Sequence, residues 1–258
     1  MRLTTTLLLE TNAASSVACI LMLYPQSGTG QTIRQNEVKT SASWPSKEYM
    51  DVFGNRCLRT EIPAGAFRLE QNIVADCVDV IDVDPLAAFV PMQEVPDEVL
   101  QFLLPSRYCQ SDLLGGKAKE ITAAAKTGYQ QVEAIRQWIY DHFEYAYGTT
   151  DASTSASDVL ISLKGVCRDY THAGLALCRS LDIPARMVVG YLYQLDPMDL
   201  HAWFEAFVGG RWFTFDATQT SPKGNRIIVA YGRDAADVAI ATYFSDIKLT
   251  RLEVTVSA

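Results

Sequence analysis

The pattern of apolar residues changes near residue 100, and this change restricts the fold more than any other feature of the chain. Before it, short apolar or alternating runs are separated by Pro, Gly and Asn, which is typical of β-strands joined by turns. Gly54-Asn55 predicts a hairpin turn between two of these runs. The first part of the chain therefore predicts a β-sandwich-like domain, with strands within residues 3–9, 16–24, 37–43, 49–61 and 65–83.

Residues 84–117 carry scattered prolines and a Gly-Gly pair, which predicts an irregular connector with one short helix near 96–103. Apolar side chains then recur at three- and four-residue spacing, which predicts helices over 119–143, 158–163 and 166–181. After Pro184 the pattern returns to strands, at 186–195, 201–208, 211–216, 226–231 and 249–256. This order predicts an α+β fold, with a β-rich domain and connector over 1–105 and a second domain over 106–258.

Composition and charge exclude several classes of function. A formal net charge of −8 argues against nucleic acid as a partner, because phosphate binding needs clustered Lys and Arg. No apolar run reaches the roughly 18–20 residues of a membrane helix, so we expect a cytoplasmic protein without a membrane partner. The six cysteines are scattered without CxxC spacing and there are three histidines, so we expect no metal, no cofactor and reduced thiols.

One cysteine occupies a position that favours chemistry. Cys167 follows Gly165-Val166 at the predicted start of the helix 166–181. The unpaired N–H groups and the dipole of a helix N-terminus stabilise anions, and the thiolate is the nucleophilic form of cysteine. Cys167 is therefore a candidate nucleophile, with a small buried residue at a helix start as the alternative. Cys178 lies in an apolar stripe of the same helix and is expected in the core.

A histidine and an aspartate are predicted to lie side by side on a hairpin. A two-residue loop at Gly209-Gly210 would pair Val208 with Arg211. Continued along both strands, this register places His201 and Asp216 on one face as diagonal neighbours. A carboxylate beside an imidazole fixes its tautomer and stabilises the imidazolium, although a polar pair on a half-buried sheet is the simpler alternative.

The other two histidines fit the same role less well. His172 lies five residues after Cys167 and would point to a different side of the helix, so it is expected to be a packing residue. His142 is expected at the boundary or surface of the preceding helix.

Several ordered motifs resemble the core of the bacterial transglutaminase-like family. They are GVCRDYTHA at 165–173, LDIPAR at 181–186, GYL at 190–192, HAWFE at 201–205 and FDAT at 215–218. Residues 1–85 resemble the β-rich N-terminal region that these proteins often carry, and 226–237 resemble their closing segment. Ala217 stands where the family pattern has proline, which should make the strand end less rigid.

The resemblance implies a papain-like core, with helices packed on an antiparallel sheet, and catalytic roles for Cys167, His201 and Asp216. It also implies an oxyanion hole at the backbone N–H of Cys167, for which Tyr145 is our candidate second donor. The implied function is thiol-dependent acyl transfer on peptide or side-chain amides through a thioester, most simply as a cysteine protease or amidase.

Two alternatives stay open at this point. In the first, an amine replaces water as the acceptor and the protein is a transglutaminase. The short acidic loop at 196–199 lacks an EF-hand spacing and is weak support for calcium. In the second, a non-catalytic module binds peptides through aromatic side chains at the substrate cleft, for which Trp203 and Tyr191 are the candidates. The amide substrate and the oligomeric state are left open by the sequence.

Overall fold

The structure is a computed structural model that describes residues 1–28 and 30–258. Within that range three four-stranded antiparallel sheets and one short parallel pair combine with five α-helices. In chain order the elements are β1 Arg2–Ala13, β2 Val17–Tyr24, β3 Gln31–Thr40, β4 Ser46–Met50, β5 Arg56–Ile62, β6 Gly65–Cys77, α1 Asp97–Leu100, α2 Gly115–Ile121, α3 Gly128–His142, β7 Glu144–Tyr145, α4 Ala156–Ser162, β8 Lys164–Gly165, α5 Cys167–Arg179, β9 Ala185–Leu192, β10 His201–Val208, β11 Arg211–Phe215, β12 Arg226–Gly232, β13 Ala241–Tyr243 and β14 Lys248–Ser257. The predicted α+β class is confirmed.

Two of the sheets form the predicted β-rich region. Alternate residues of β6 are buried, so one face of its sheet packs on the core and the other faces solvent. The side chains of Gln71 and Asn36, from one sheet, both donate to the carbonyl of Leu23 in the other, Asn36 at 3.1 Å. The predicted hairpin is confirmed: β4 and β5 pair antiparallel around a loop in which Gly54 has a φ of +80°.

The same two sheets also contain the end of the chain. Their strand orders are β14-β1-β6-β3 and β13-β2-β5-β4, so the last two strands pair with the first two. Strand β14 corresponds to the predicted strand at 249–256, whereas β13 was not predicted. The division of the chain at residue 105 stays a prediction, and the sheets of the β-rich region draw strands from both sides of it.

The predicted helix at 119–143 is wrong in its extent, because the structure has two helices there, α2 and α3. The break falls at residues 122–127. Thr127 caps the second helix, since its hydroxyl accepts a hydrogen bond from the N–H of Gln130 at 3.2 Å. Gly128 follows directly, and a Cβ there would lie 2.8 Å from the backbone nitrogen of Phe89. Residues 122–127 include three alanines and neither proline nor glycine, which is why the sequence predicted one continuous helix.

The third sheet, β11-β10-β9-β12, is covered by α5. The predicted register is confirmed, since Val208 pairs with Arg211 and Phe204 with Phe215. Both residues of the connecting loop, Gly209 and Gly210, have positive φ, as a two-residue hairpin loop requires. The hairpin therefore places the start of β10 beside the residues that follow β11.

Helix α5 approaches this sheet closely because it carries a glycine at the contact. A Cβ on Gly174 would lie 2.5 Å from the ring of Phe204 on β10, well inside van der Waals contact. The other helical side chains facing the sheet are also buried, among them Leu177 and Cys178. The glycine thus sets the depth at which the helix rests on the sheet.

No helix in the described ranges 1–28 and 30–258 is long and apolar enough to cross a membrane. The expected cytoplasmic location stays a prediction. All six cysteines are free, and Cys167 is half-buried while the other five are buried. In the part of the chain that the structure describes, no group of three or more His, Cys, Asp or Glu side chains is arranged to hold a metal ion.

We expect Gly174→Ala to lower the free energy of unfolding by about 1–3 kcal/mol, because the added methyl group overpacks the contact with Phe204. Gly116→Ala is the matched control, since a Cβ at that helical position meets nothing within 4 Å. It should be neutral or stabilising by up to about 1 kcal/mol. Chemical denaturation of both variants measures the difference, and equal changes in the two would contradict the packing account.

Candidate active site

Cys167 is the first residue of α5, and a buried carboxylate fixes the chain just before it. Asp169 accepts hydrogen bonds from the N–H of Val166 at 2.9 Å and from the hydroxyl of Thr150 at 2.6 Å. A Cβ on Gly165 would lie 2.6 Å from the Cβ of Asp169, so this turn requires glycine. These contacts fix the helix start that carries the half-buried Cys167.

His201 and Asp216 are brought together as the hairpin register predicted. His201 begins β10 and Asp216 directly follows β11. The imidazole Nε2 lies 2.8 Å from Oδ2 of Asp216, and both side chains are almost fully buried. One nitrogen of the ring is therefore held by the carboxylate.

The carboxylate of Asp216 accepts four hydrogen bonds. Oδ2 accepts from His201 and from Nη2 of Arg226, each at 2.8 Å. Oδ1 accepts from the N–H and the hydroxyl of Thr218, at 3.1 and 2.8 Å. Burial acts to raise the pKa of Asp216, but the positive charges of His201 and Arg226 and these hydrogen bonds outweigh it, so the pKa falls well below its usual range.

The ring of His201 lies close to the nucleophile candidate. Among the described residues, Nδ1 has no hydrogen-bond partner. The thiol of Cys167 is near this ring, since its Sγ lies 3.9 Å from the carbonyl oxygen of Leu200, the residue before His201. Burial acts to lower the pKa of His201, but Asp216 and the nearby Cys167 outweigh burial and raise it to about 9. The imidazolium is thus the stable form at neutral pH.

Tyr145 lies beside the same cysteine. Strand β7 pairs in parallel with β8, which aligns Tyr145 with Gly165, two residues before Cys167. Burial and the charge on the Cys167 thiol raise the pKa of Tyr145, while a hydrogen bond from the backbone N–H of Cys167 acts against them. The phenol is therefore close to both the thiol and that N–H, and its side chain remains partly exposed.

The expectation that Trp203 and Tyr191 are cleft residues is wrong. Each side chain is 1% exposed, so neither can present an aromatic surface to a peptide. All eight residues of β10 are buried, and Tyr191 lies on the central strand β9 of the same sheet. Trp203 instead packs against Arg226, whose guanidinium carbon lies 4.7 Å from the ring centroid.

His172 takes the packing role that its spacing predicted. It is fully buried, stacks on Tyr108 with ring centroids 4.9 Å apart, and accepts a hydrogen bond from the N–H of Ala235 at 3.2 Å. Burial lowers its pKa to about 4, so it is neutral at ordinary pH.

Sequence reasoning missed Arg226 altogether. The loop between β11 and β12 separates Asp216 from Arg226 and forms no strand pairing. No register rule therefore connects the two residues. A sequence signal that could have indicated this arginine is its place at the start of the predicted strand 226–231, which is the next predicted strand after the one that ends at Asp216.

Comparison with known proteins agrees with the fold. The sequence model of the Transglutaminase-like superfamily matches residues 116–217, a range that contains Cys167, His201 and Asp216. A crystal structure of a "putative cysteine protease" from Cytophaga hutchinsonii is 34% identical, with a TM-score of 0.93, and the match covers 100% of this chain and 90% of that one.

An uncharacterised protein of Mycobacterium leprae is 29% identical over 234 residues, which cover 84% of this chain and 82% of that protein. An uncharacterised protein of Mycobacterium tuberculosis is 34% identical over 125 residues, 42% of this chain and 40% of that protein. The chain belongs to the transglutaminase-like superfamily, and its core has the papain-like arrangement that the sequence motifs implied.

We expect the two buried histidines to titrate far apart. His201 should lose its proton near pH 9, and His172 should gain one only near pH 4. Chemical shifts of the ring nitrogens in ¹⁵N-histidine-labelled protein, followed across pH, measure both midpoints. Asp216→Asn should move the His201 midpoint down toward the ordinary value of about 6.5, since the carboxylate stabilises the imidazolium. A His201 midpoint near 6.5 in the unchanged protein would contradict this description of the site.

Proposed function

We propose that the protein is a thiol-dependent hydrolase of peptide or side-chain amide bonds, in which Cys167, His201 and Asp216 form the catalytic triad. The observation that carries the proposal is that the two nitrogens of the His201 ring have different surroundings. Nε2 is bound to Asp216, and Nδ1 is left to exchange a proton beside the Cys167 thiol. This is the geometry that a nucleophile, its base and an orienting group need.

In the first half of the reaction, the Cys167 thiolate attacks the amide carbonyl carbon and forms a tetrahedral intermediate. The C–N bond then breaks as Nδ1 of His201 gives its proton to the departing amine. The products of this half are a free amine, a thioester on Cys167 and a neutral imidazole. Asp216 stays ionised throughout, because its low pKa keeps the proton on the ring.

In the second half, the neutral imidazole takes a proton from water as the oxygen attacks the thioester. The C–S bond breaks, the carboxylic acid leaves, and the thiolate–imidazolium pair is restored. An amine acceptor would follow the same path and yield a new amide. Water is the simpler acceptor, and it is the one we propose.

The negative charge on the carbonyl oxygen develops beside the start of α5. There the backbone N–H of Cys167 and the hydroxyl of Tyr145 are both close to the thiol, and both can donate to an oxyanion. The α5 N-terminus adds a favourable dipole at the same point. Tyr145 is therefore proposed as the second oxyanion donor.

The buried positions of two aromatic side chains argue against the alternative of a non-catalytic peptide-binding module. It rested on exposed aromatic side chains at Trp203 and Tyr191, and both are buried. Tyr145, which lies near Cys167, and its neighbour Tyr147 are both exposed, with ring centroids 5.6 Å apart. Tyr145 thus presents an exposed ring beside the half-buried Cys167, as expected of a substrate-binding surface next to a nucleophile.

We expect the protein to cleave members of a peptide mixture made by digesting casein, and to incorporate one ¹⁸O atom into each new carboxyl group in H₂¹⁸O. Cys167→Ala should reduce cleavage by about 10³-fold or more, because the nucleophile is lost. Cys178→Ala is the control and should retain activity, since that thiol is buried in the core. Mass spectrometry reads both results.

New amide products in the presence of added amine, without ¹⁸O-labelled acids, would instead assign amine transfer. Equal activity of Cys167→Ala and the unchanged protein would rule out the triad as proposed.

We expect Tyr145→Phe to lower kcat about 10²-fold on the best-cleaved peptide with little change in KM, because one oxyanion donor is removed only from the transition state. Tyr147→Phe is the matched control. It removes a hydroxyl from the neighbouring ring and should change kcat less than about threefold. Steady-state kinetics of the two variants test the assignment, and equal losses in both would count against Tyr145 as a donor.

A further inference from the structure

Arg226 shares the carboxylate oxygen that holds His201. Its Nη2 donates to Oδ2 of Asp216 at 2.8 Å, and Nε2 of His201 lies at the same distance from the same atom. The side chains of all three residues are 5% exposed or less. A buried cation and the imidazole thus compete for one oxygen, with little solvent to screen them.

The arginine is held where it is by two further contacts. Its Nε donates to the carbonyl of Lys223 at 2.9 Å, and its guanidinium lies over the ring of Trp203. Trp203 is in turn stacked near His201, with ring centroids 5.9 Å apart. The buried indole of Trp203 therefore packs against the guanidinium of Arg226, and the cation–π contact stabilises this position.

The charges that face His201 come from three elements. The thiol of Cys167 comes from α5, the carboxylate of Asp216 follows β11, and the guanidinium of Arg226 comes from β12. Asp216 and the thiolate stabilise the imidazolium, whereas Arg226 opposes it and also cancels part of the charge of Asp216. The imidazole of His201 therefore lies beside a carboxylate, that of Asp216, whose negative charge Arg226 partly neutralises.

We propose that Arg226 is a positioning residue that acts through Asp216 and limits, through its positive charge, how tightly the imidazole of His201 keeps its proton. The inference rests on the proposed function, in which His201 must release this proton to the departing amine. A ring that bound the proton more tightly would be a weaker general acid at neutral pH. Arg226 touches neither the substrate nor the thiol in this role and acts through Asp216.

The test is the titration of His201 in ¹⁵N-histidine-labelled protein carrying Arg226→Gln, Arg226→Met or Arg226→Lys. The neutral variants remove the charge, and Met keeps an apolar stem over Trp203. In either of them the His201 midpoint should move upward by about one pH unit, because the carboxylate is no longer partly neutralised. The Lys variant keeps the charge, and its midpoint should stay within about 0.3 pH units of the unchanged protein.

A purely structural role predicts the opposite sign. Without its support, Asp216 would turn away from the ring, and the midpoint would fall toward about 6.5 in the neutral variants. A fall or no change in a neutral variant that keeps its thermal unfolding transition overturns the proposal. A fall in Arg226→Lys overturns it as well, so a result is obtained even if neither neutral variant folds.

The titration needs no substrate, so it is independent of whether the protein cleaves amides. An inactive protein with the expected shifts would contradict the proposed function alone. An active protein without the shifts would contradict the role of Arg226 alone.

Discussion

The buried carboxylate of Asp216 is the constraint on which the rest of the site depends. A charged group without solvent is costly unless cations and hydrogen bonds surround it, and the cost is several kcal/mol when they are lacking. The fold supplies four donors to its two oxygens, from β10, from β12 and from the turn after β11. Because these donors arrive from separate strands, the pairing of the third sheet must be correct before the carboxylate can be ionised in place.

The nucleophile is positioned by a second, separate set of contacts. Gly174 lets α5 rest closely on the sheet, and Gly165 leaves room for Asp169 to fix the first turn. Neither glycine touches the proposed chemistry, yet both decide where the Cys167 thiol lies relative to His201. The site thus lies between the start of α5 and the β10–β11 hairpin, and separate packing contacts hold each of them. The β-rich region lies outside this arrangement, although hydrogen bonds between β12 and the side chains of Gln31 and Asn55 connect it to the sheet that carries Arg226.

The parts of this structure that follow strict local rules could be predicted from the sequence. The Gly209-Gly210 loop fixes a register, and the register alone puts His201 beside Asp216. The position of Cys167 at a helix start follows from the residues around it. The contact between Arg226 and Asp216 could not be predicted, because the loop between β11 and β12 forms no strand pairing from which a register could be read. The burial of Trp203 and Tyr191 could not be predicted either, since it depends on which elements cover the sheet. The pairing of β14 with β1 joins the two ends of the chain, and local periodicity carries no information about such contacts.

The central claim is that Cys167 and His201 act as a thiolate–imidazolium pair. Intact-mass analysis after brief iodoacetamide treatment between about pH 5 and pH 9 tests it most directly, with the unchanged protein compared with His201→Ala and with Cys167→Ala as the blank. We expect rapid single labelling of Cys167 at about pH 6 and strongly reduced labelling in His201→Ala. Labelling that begins only near about pH 8.5, as for an ordinary thiol, and that is unaffected by His201→Ala would contradict it.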